Sequence, residues 1–481
     1  MITVQLLLGI KHCGFIFLNG VSMGNLNTFD VAIVGTGPAG MFAALELIDI
    51  NPEIRIVMFE QGPVRPKGDR DNITSGWGGA GAFSDGKLDL GSCVGGTIGQ
   101  CIGEEQFREL MAYVDSRYLE FGGRPDIVDA QANPETWSKV LDLRRRALSS
   151  HLDLAYFPIR HLGTDTAYTI VENIRHYLLA RGVVILSNCP IVELRPEHFG
   201  LSVVTEQGEV VAASYVLAAP GRSGADWFAG EARRLGLRLK NNGIDIGVRV
   251  ETRNDVLKEI TDLLYEAKLY CESSRGDRVR TFCMCPGGYV ATEDYRGLRT
   301  VNGHSYKDKK SDNVNFAVLV TQIFTEPFDD SLGYGKHISK LANQLAGGGV
   351  LVQRLGDLRD GRRSKEEKMR TWMVQPTLTP PQAIPGDLGL AIPHRHLEGI
   401  VDMLDAMESI APGIASKHTL LYGIEVKFYS NQVEVNEQTF ETALPGLYVA
   451  GDGSGYTRGL LQASMNGVLV AQDIIRKYGC E

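Results

Sequence analysis

Residues 29–40 read Phe29-Asp30-Val31-Ala32-Ile33-Val34-Gly35-Thr36-Gly37-Pro38-Ala39-Gly40, an apolar run that breaks into Gly-x-Gly-x-x-Gly. Glycines at this spacing permit a tight turn, a backbone that a pyrophosphate can approach, and close packing of a helix on a strand. Met41 to Ile50 continues as a helix and Ile54 to Phe59 as a second apolar strand, so residues 29–62 form a βαβ opening. The helix would face a phosphate with its free N–H groups and the positive end of its dipole. Glu60 closes the second strand, placed to accept both ribose hydroxyls of an adenosine, with Gln61 beside it. A carboxylate there repels a 2′-phosphate, which favours FAD or NAD over NADP. Gly35, Gly37, Pro38, Ala39, Gly40, Glu60 and Gln61 are therefore expected to bind the adenosine diphosphate half of a dinucleotide.

The chain around this stretch has 481 residues, of which 43% are apolar, enough for two or three domains with a large buried core. Its 49 basic and 58 acidic residues give a net charge of −9, which disfavours nucleic acid and anionic membrane as partners and favours a small-molecule substrate. Eight cysteines in so long a chain suit a reducing compartment rather than a disulfide framework, so the expected location is cytoplasmic. Residues 1–27 read as a poorly ordered extension: the apolar runs Ile2 to Ile10 and Phe15 to Leu18 are too short for a membrane helix and lack a signal peptide's basic start and cleavage site.

Helical periodicity follows at Phe107 to Tyr118, Trp137 to Leu148 and Tyr168 to Ala180. Short strands are expected at Val183 to Leu186, Ile191 to Leu194, Leu201 to Thr205, Val210 to Ala212 and Tyr215 to Ala219: one strand of a parallel sheet, a β-meander, and a return to the sheet. From about Asn241 the strands lengthen and alternate, as an antiparallel domain requires. The expected fold class is α/β, a Rossmann-type FAD-binding domain with a parallel sheet plus β-meander and a second, mainly antiparallel β + α domain. Its expected divisions are 1–27, 28–238 (cofactor domain, first part), 239–425 (substrate or cap domain) and 426–481 (cofactor domain, C-terminal part).

Two further stretches bear on the cofactor. Leu447-Tyr448-Val449-Ala450-Gly451-Asp452-Gly453 is an apolar strand ending in Gly-Asp, followed by a helix expected from Thr457 with Gly459, Leu460 and Leu461 near its start. Tyr215-Val216-Leu217-Ala218-Ala219-Pro220-Gly221 is a strand ending in Ala-x-Gly. Such segments resemble those of Rossmann flavoproteins. There the aspartate hydrogen-bonds the ribityl chain, the following helix points at the pyrimidine edge of the flavin, and the Ala-x-Gly strand lies beside the pyrophosphate. The resemblance extends these roles to Asp452, Gly453, Leu460, Leu461, Ala219 and Gly221, with Val192 as the adenine contact, and selects FAD as the resident, non-covalent cofactor.

The run Gly76-Trp77-Gly78-Gly79-Ala80-Gly81-Ala82-Phe83-Ser84-Asp85-Gly86-Lys87-Leu88, together with Phe282-Cys283-Met284-Cys285-Pro286-Gly287-Gly288 and Arg458-Gly459-Leu460-Leu461-Gln462-Ala463, resembles the FAD-dependent dehydrogenases of bacteria and archaea over residues 28 to 480. Against longer members of that family, no globular domain is expected before the first strand. The resemblance places the glycine-rich loop along the flavin and implies roles for Gly78, Gly79, Ser84, Asp85 and Lys87.

Cys283 and Cys285, two apart on an expected strand, share a face and offer either a redox pair or two metal ligands. Packing is the favoured reading. No cation lies within two residues, no further Cys or His pair stands at metal spacing, and a disulfide across a regular strand is strained. Cys283, Cys285 and Lys87 are thus the catalytic candidates, and no metal is expected. His394 and His396, flanking Arg395, either reach a substrate or belong to a polar loop entering a helix; Glu425 and Lys427 either pair or contact the cofactor.

The function expected is an FAD-dependent oxidoreductase, a dehydrogenase or reductase passing hydride between flavin N5 and a small molecule. Gly221-Arg222-Ser223-Gly224 is a poor second fingerprint, so a dedicated NAD(P)H domain is disfavoured. Electrons then come from the substrate, from NAD(P)H as a transient donor, or from an electron-donor protein. The alternative is an FAD-binding protein with a structural or RNA-modification role.

Overall fold

The computed structural model describes residues 28–64, 75–83, 86–264, 266–295, 297–305 and 309–479. The expectations for 1–27, Ser84 and Asp85 lie outside these. The chain forms two compact units, one of residues up to 128, 158–240 and 430 onward, the other of 129–157 and 241–429.

In the first unit, strand Thr28–Val34 lies between Ile56–Phe59 and Val210–Ala218, parallel to both, and Val184–Leu186 extends the sheet beyond Ile56–Phe59. Val31 and Ile33 pack into one apolar core while Ala32 and Val34 pack into another, so the strand is covered on both faces. The central strand Val210–Ala218 is continuous, where the sequence suggested two. Its two halves have different neighbours on one edge: Val210 to Ala213 pairs antiparallel with Leu201–Thr205, and Val216 to Ala218 pairs parallel with Leu447–Val449. Ile191–Pro196 completes the meander. Helices Pro38–Ile50 and Leu460–Tyr478 contribute to the same core, so the two ends of the chain share one interior.

The second unit is built on an eight-stranded sheet in the order Ala383–Pro385, Val350–Arg354, Leu420–Lys427, Ile244–Arg253, Asn313–Gln322, Arg278–Pro286, Lys268–Glu272, Asp153–Ala155. All neighbours are antiparallel except the first pair. Along Ile244–Arg253 the period of two is plain: Ile244, Ile246, Val248 and Val250 enter an apolar core, while Asp245, Arg249 and Glu251 alternate with them and are also buried. The sheet's other face is therefore a buried polar layer.

Residues 129–157 belong to this unit, although the sequence grouped them with 28–238. Helix Pro134–Ser149 puts Val140, Leu143 and Ala147 into the same apolar core as Leu257 and Ile260, and Asp153–Ala155 pairs with Lys268–Glu272. Among the described residues no helix is long and apolar enough to cross a membrane.

Candidate cofactor site

Four parallel strands of the first unit, Ile56–Phe59, Thr28–Val34, Val210–Ala218 and Leu447–Val449, end side by side. Gly35 N–H donates to the Phe59 carbonyl at 2.8 Å, Ala219 N–H to Val34 at 2.8 Å, and Ala450 N–H to Ala218 at 3.0 Å. Ligands of open parallel sheets bind beyond such carboxyl ends. Here a cleft opens, lined among others by Gly35, Thr36, Gly37, Pro38, Ala39, Glu60, Gln61, Gly79, Ala219, Gly221, Asp452 and Leu460. Segments from opposite ends of the chain thus meet around one space.

The turn between strand and helix is held from several sides. Gly35 adopts φ +107°, and a Cβ there would stand 2.0 Å from the Ala219 carbonyl oxygen. Gly40 packs under the turn, where a Cβ would meet the Gly35 carbonyl at 2.1 Å. Gly37 caps helix Pro38–Ile50, and a Cβ on it would have no neighbour within 4 Å. Its backbone therefore faces the open cleft. The glycine-rich loop is fixed by Gly78 N–H donating to Thr36 O at 3.1 Å and the Trp77 indole N–H donating to Val171 O at 3.0 Å.

Glu60 does not stand free for a ribose. Its Oε2 accepts from Thr36 N–H at 3.2 Å and Thr36 Oγ1 at 2.7 Å, and its Oε1 from Gly62 N–H at 2.9 Å and Gly76 N–H at 2.8 Å. A carboxylate offers about four lone-pair sites, and these bonds occupy all of them.

At the other end of the cleft, Asp452 Oδ1 accepts from Thr457 Oγ1 at 2.8 Å while Arg222 Nε lies 4.0 Å from Oδ2. Burial pushes the Asp452 carboxyl up from its ordinary range, against the opposing pull of Arg222 and Thr457. Gly451 N–H is held by Asn466 Oδ1 at 3.0 Å, and Gln462 bonds both Gly96 N–H and Val94 O. Helix Leu460–Tyr478 thereby fixes the strand end and the 94–96 loop together; it begins at Leu460, three residues after the expected start.

The remaining expected residues lie off the cleft. Gly453 packs on Gly221, Leu461 is buried in the core, and Gly78 packs against Val171. Lys87 sits on strand Lys87–Asp89, paired with Ile159–His161. The Val192 side chain is exposed and its carbonyl accepts from the Trp227 indole at 3.1 Å; Cys189, Pro190 and Ile191 line the cleft instead. Thr36, Arg222, Ser223 and Trp227 also line it and were not singled out from the sequence. Arg222 directly follows the Ala-x-Gly strand end, so its place at the cleft was readable from that motif.

In the second unit, Arg249 is fully buried among Asn315, Glu425, Cys283 and Cys285. Lys427 Nζ lies 3.1 Å from Glu425 Oε1, so these two residues pair. His394 and His396 diverge at the start of helix His394–Met407: His394 is exposed and meets Glu398 at 3.2 Å, whereas His396 is buried, which lowers its pKa. Among the described residues no cluster of His, Cys, Asp or Glu could hold a metal ion.

Residues 243–428, the greater part of this second unit, match the family model described as FAD-dependent protein, C-terminal domain-like. The match and the cleft together make FAD the cofactor. The flavoprotein is similar over 93% of its length to a Clostridium beijerinckii protein described as uncharacterized, at 26% identity and over 80% of that protein. Among solved structures it is similar to glycine oxidase from Geobacillus kaustophilus, at 15% identity and a TM-score of 0.40, over 94% of this chain and 95% of that one. Glycine oxidase from Bacillus cereus gives 13% identity and a TM-score of 0.38, over 93% and 95%. At those scores the likeness bears on neither substrate nor mechanism. The cleft itself fits FAD, with a glycine backbone open to a diphosphate at Gly37 and a partly exposed carboxylate at Asp452 able to accept from a polyol.

Proposed function

We propose that the protein is an FAD-dependent oxidoreductase, a dehydrogenase or reductase acting on a small molecule. The observation that carries this reading is the convergence of the Gly35–Gly40 turn, the Ala219–Gly221 strand end and Asp452 on one cleft of a chain that is FAD-dependent. Bound FAD supplies two-electron hydride chemistry at N5. The chain binds and orients it. Helix Pro38–Ile50 presents free N–H groups and a positive dipole end to the diphosphate, Arg222 adds a cation, and Asp452 accepts from the ribityl hydroxyls. Electrons arrive from the substrate, from free NAD(P)H or from a carrier protein. The cytoplasm suits the described cysteines, none of which is in a disulfide.

The test is anaerobic: the purified yellow protein is mixed with candidate donors, and bleaching of its flavin band by a small molecule supports the reading. A flavin that no small-molecule donor or NAD(P)H reduces counts against it. Asp452→Ala is expected to weaken FAD binding roughly 10- to 100-fold, because a hydrogen bond to a charged group contributes about 1.5–3 kcal/mol. Dialysis followed by flavin absorbance per chain measures it, and wild-type retention would remove Asp452 from the site.

A further inference from the structure

Strand Arg278–Pro286 is not regular where the two cysteines lie. Phe282 pairs with Ala317 and Cys285 with Asn315, so one extra residue is accommodated, and Cys283 takes φ +48°. Non-glycine residues at positive φ are uncommon and mark strain. The bulge brings the two sulfurs to 3.9 Å, with Cys283 half-buried and Cys285 buried. A cation that is distant in sequence completes the group. Arg249 Nη2 donates to Cys285 Sγ at 3.4 Å and to Cys283 O at 2.7 Å, while its Nη1 lies 3.6 Å from Glu425 Oε1. The hydrogen bond to Cys285, with burial, pushes the Cys283 thiol up, and Arg249 opposes this. Arg249 is held in turn by Asn315 Oδ1 at 2.8 Å and lies over Gly303, where a Cβ would collide with Nη2.

We propose that Cys283 and Cys285 form a thiol–disulfide exchange site in the second unit, whose substrate class is the small aliphatic disulfide. Cys283, the more exposed residue of the two, loses its proton to water and attacks one sulfur of the incoming disulfide as the thiolate. The substrate S–S bond breaks, a mixed disulfide forms on Cys283, and the departing thiolate takes up a proton from water. Cys285 then loses its own proton to water and, as a thiolate beside Arg249, attacks the Cys283 sulfur. The Cys283–Cys285 bond forms and the second thiolate leaves, taking up the second proton. One S–S bond breaks and one forms; the protein dithiol loses two electrons and the small disulfide becomes two thiols. Run backwards, an external thiol attacks Cys283, and Cys285 leaves as the anion Arg249 stabilises.

The experiment uses the full-length flavoprotein in mixtures of 2-hydroxyethyl disulfide and 2-mercaptoethanol, with circular dichroism recorded to establish that it stays folded. After acid quenching and alkylation, tryptic peptide 281–296 carries both cysteines. In the wild type both alkylation sites are expected to disappear together, with the peptide lighter by two hydrogens. Cys285→Ser is expected to hold a mixed disulfide on Cys283, and Cys283→Ser to hold none. Arg249→Gln is expected to slow exchange roughly three- to fourfold per unit rise in thiol pKa, the lost thiolate being partly offset by greater nucleophilicity, and Arg249→Lys to restore it. Two independently alkylated thiols in the folded wild type, a disulfide that forms only on unfolding, or an adduct on Cys285 in the Cys283→Ser variant would each overturn the proposal.

Discussion

Gly35→Ala is expected to yield a chain that purifies without FAD and melts below the wild type. The reason is backbone against backbone. A methyl group at residue 35 would stand 2.0 Å from the Ala219 carbonyl oxygen, in a φ of +107° that L side chains rarely adopt. The strained φ alone costs about 1–3 kcal/mol, and overpacking adds about 1–3 kcal/mol. No side chain can rotate away, so the ends of the strands Thr28–Val34 and Val210–Ala218 must part, and these ends form the floor of the cleft. Gly37→Ala provides the contrast. Its φ is −71° and its Cβ would meet nothing within 4 Å, so the fold and melting temperature stay near wild type while FAD is lost, because the methyl group occupies the path to the diphosphate. Flavin absorbance per chain and thermal unfolding of both variants decide the matter. Equal flavin content in Gly37→Ala and wild type would show that no diphosphate approaches this turn.

How much of this was legible depends on whether the cause was local. The Gly35–Gly40 turn and the Gly451-Asp452 strand end announce themselves because each needs particular residues at fixed spacing, and the structure brings both to one cleft. Residues that matter through contacts distant in sequence left weaker traces. Helix Pro134–Ser149 has the periodicity of any amphipathic helix; only its apolar partners Leu257 and Ile260 assign it to the second unit. The strand around Ala213 looked broken because its small residues do not show that one edge serves two different partners. The cysteines were read on a regular strand with no cation near. The bulge at Cys283 and the arrival of Arg249 from another strand change both premises, and neither has a signature within five residues of the pair.

Glu60→Ala is expected to do more than weaken ribose binding. From the sequence alone it removes one charged acceptor and leaves a folded protein. In the structure it removes a carboxylate that holds Thr36, Gly62 and Gly76 together, and it leaves three backbone N–H groups without that acceptor. Thr36, Gly62 and Gly76 are buried, and an unsatisfied buried donor costs about 1–3 kcal/mol. The sum, roughly 3–9 kcal/mol before any relaxation, is comparable with the 5–15 kcal/mol that holds a typical protein folded. Glu60→Gln should recover only part of this. An amide has one acceptor oxygen, so its NH2 group must face either the Gly62 and Gly76 N–H pair or Thr36. Facing Thr36 is the lesser conflict, since the hydroxyl can turn to accept, but the Thr36 N–H still opposes it. Thr36→Val removes the hydroxyl alone and should cost least. The expected order of melting temperature is therefore wild type, Thr36→Val, Glu60→Gln, Glu60→Ala, with flavin content falling alongside. A Glu60→Ala protein that melts with the wild type and loses only FAD would mean that these internal bonds are dispensable and that Glu60 serves the ribose alone.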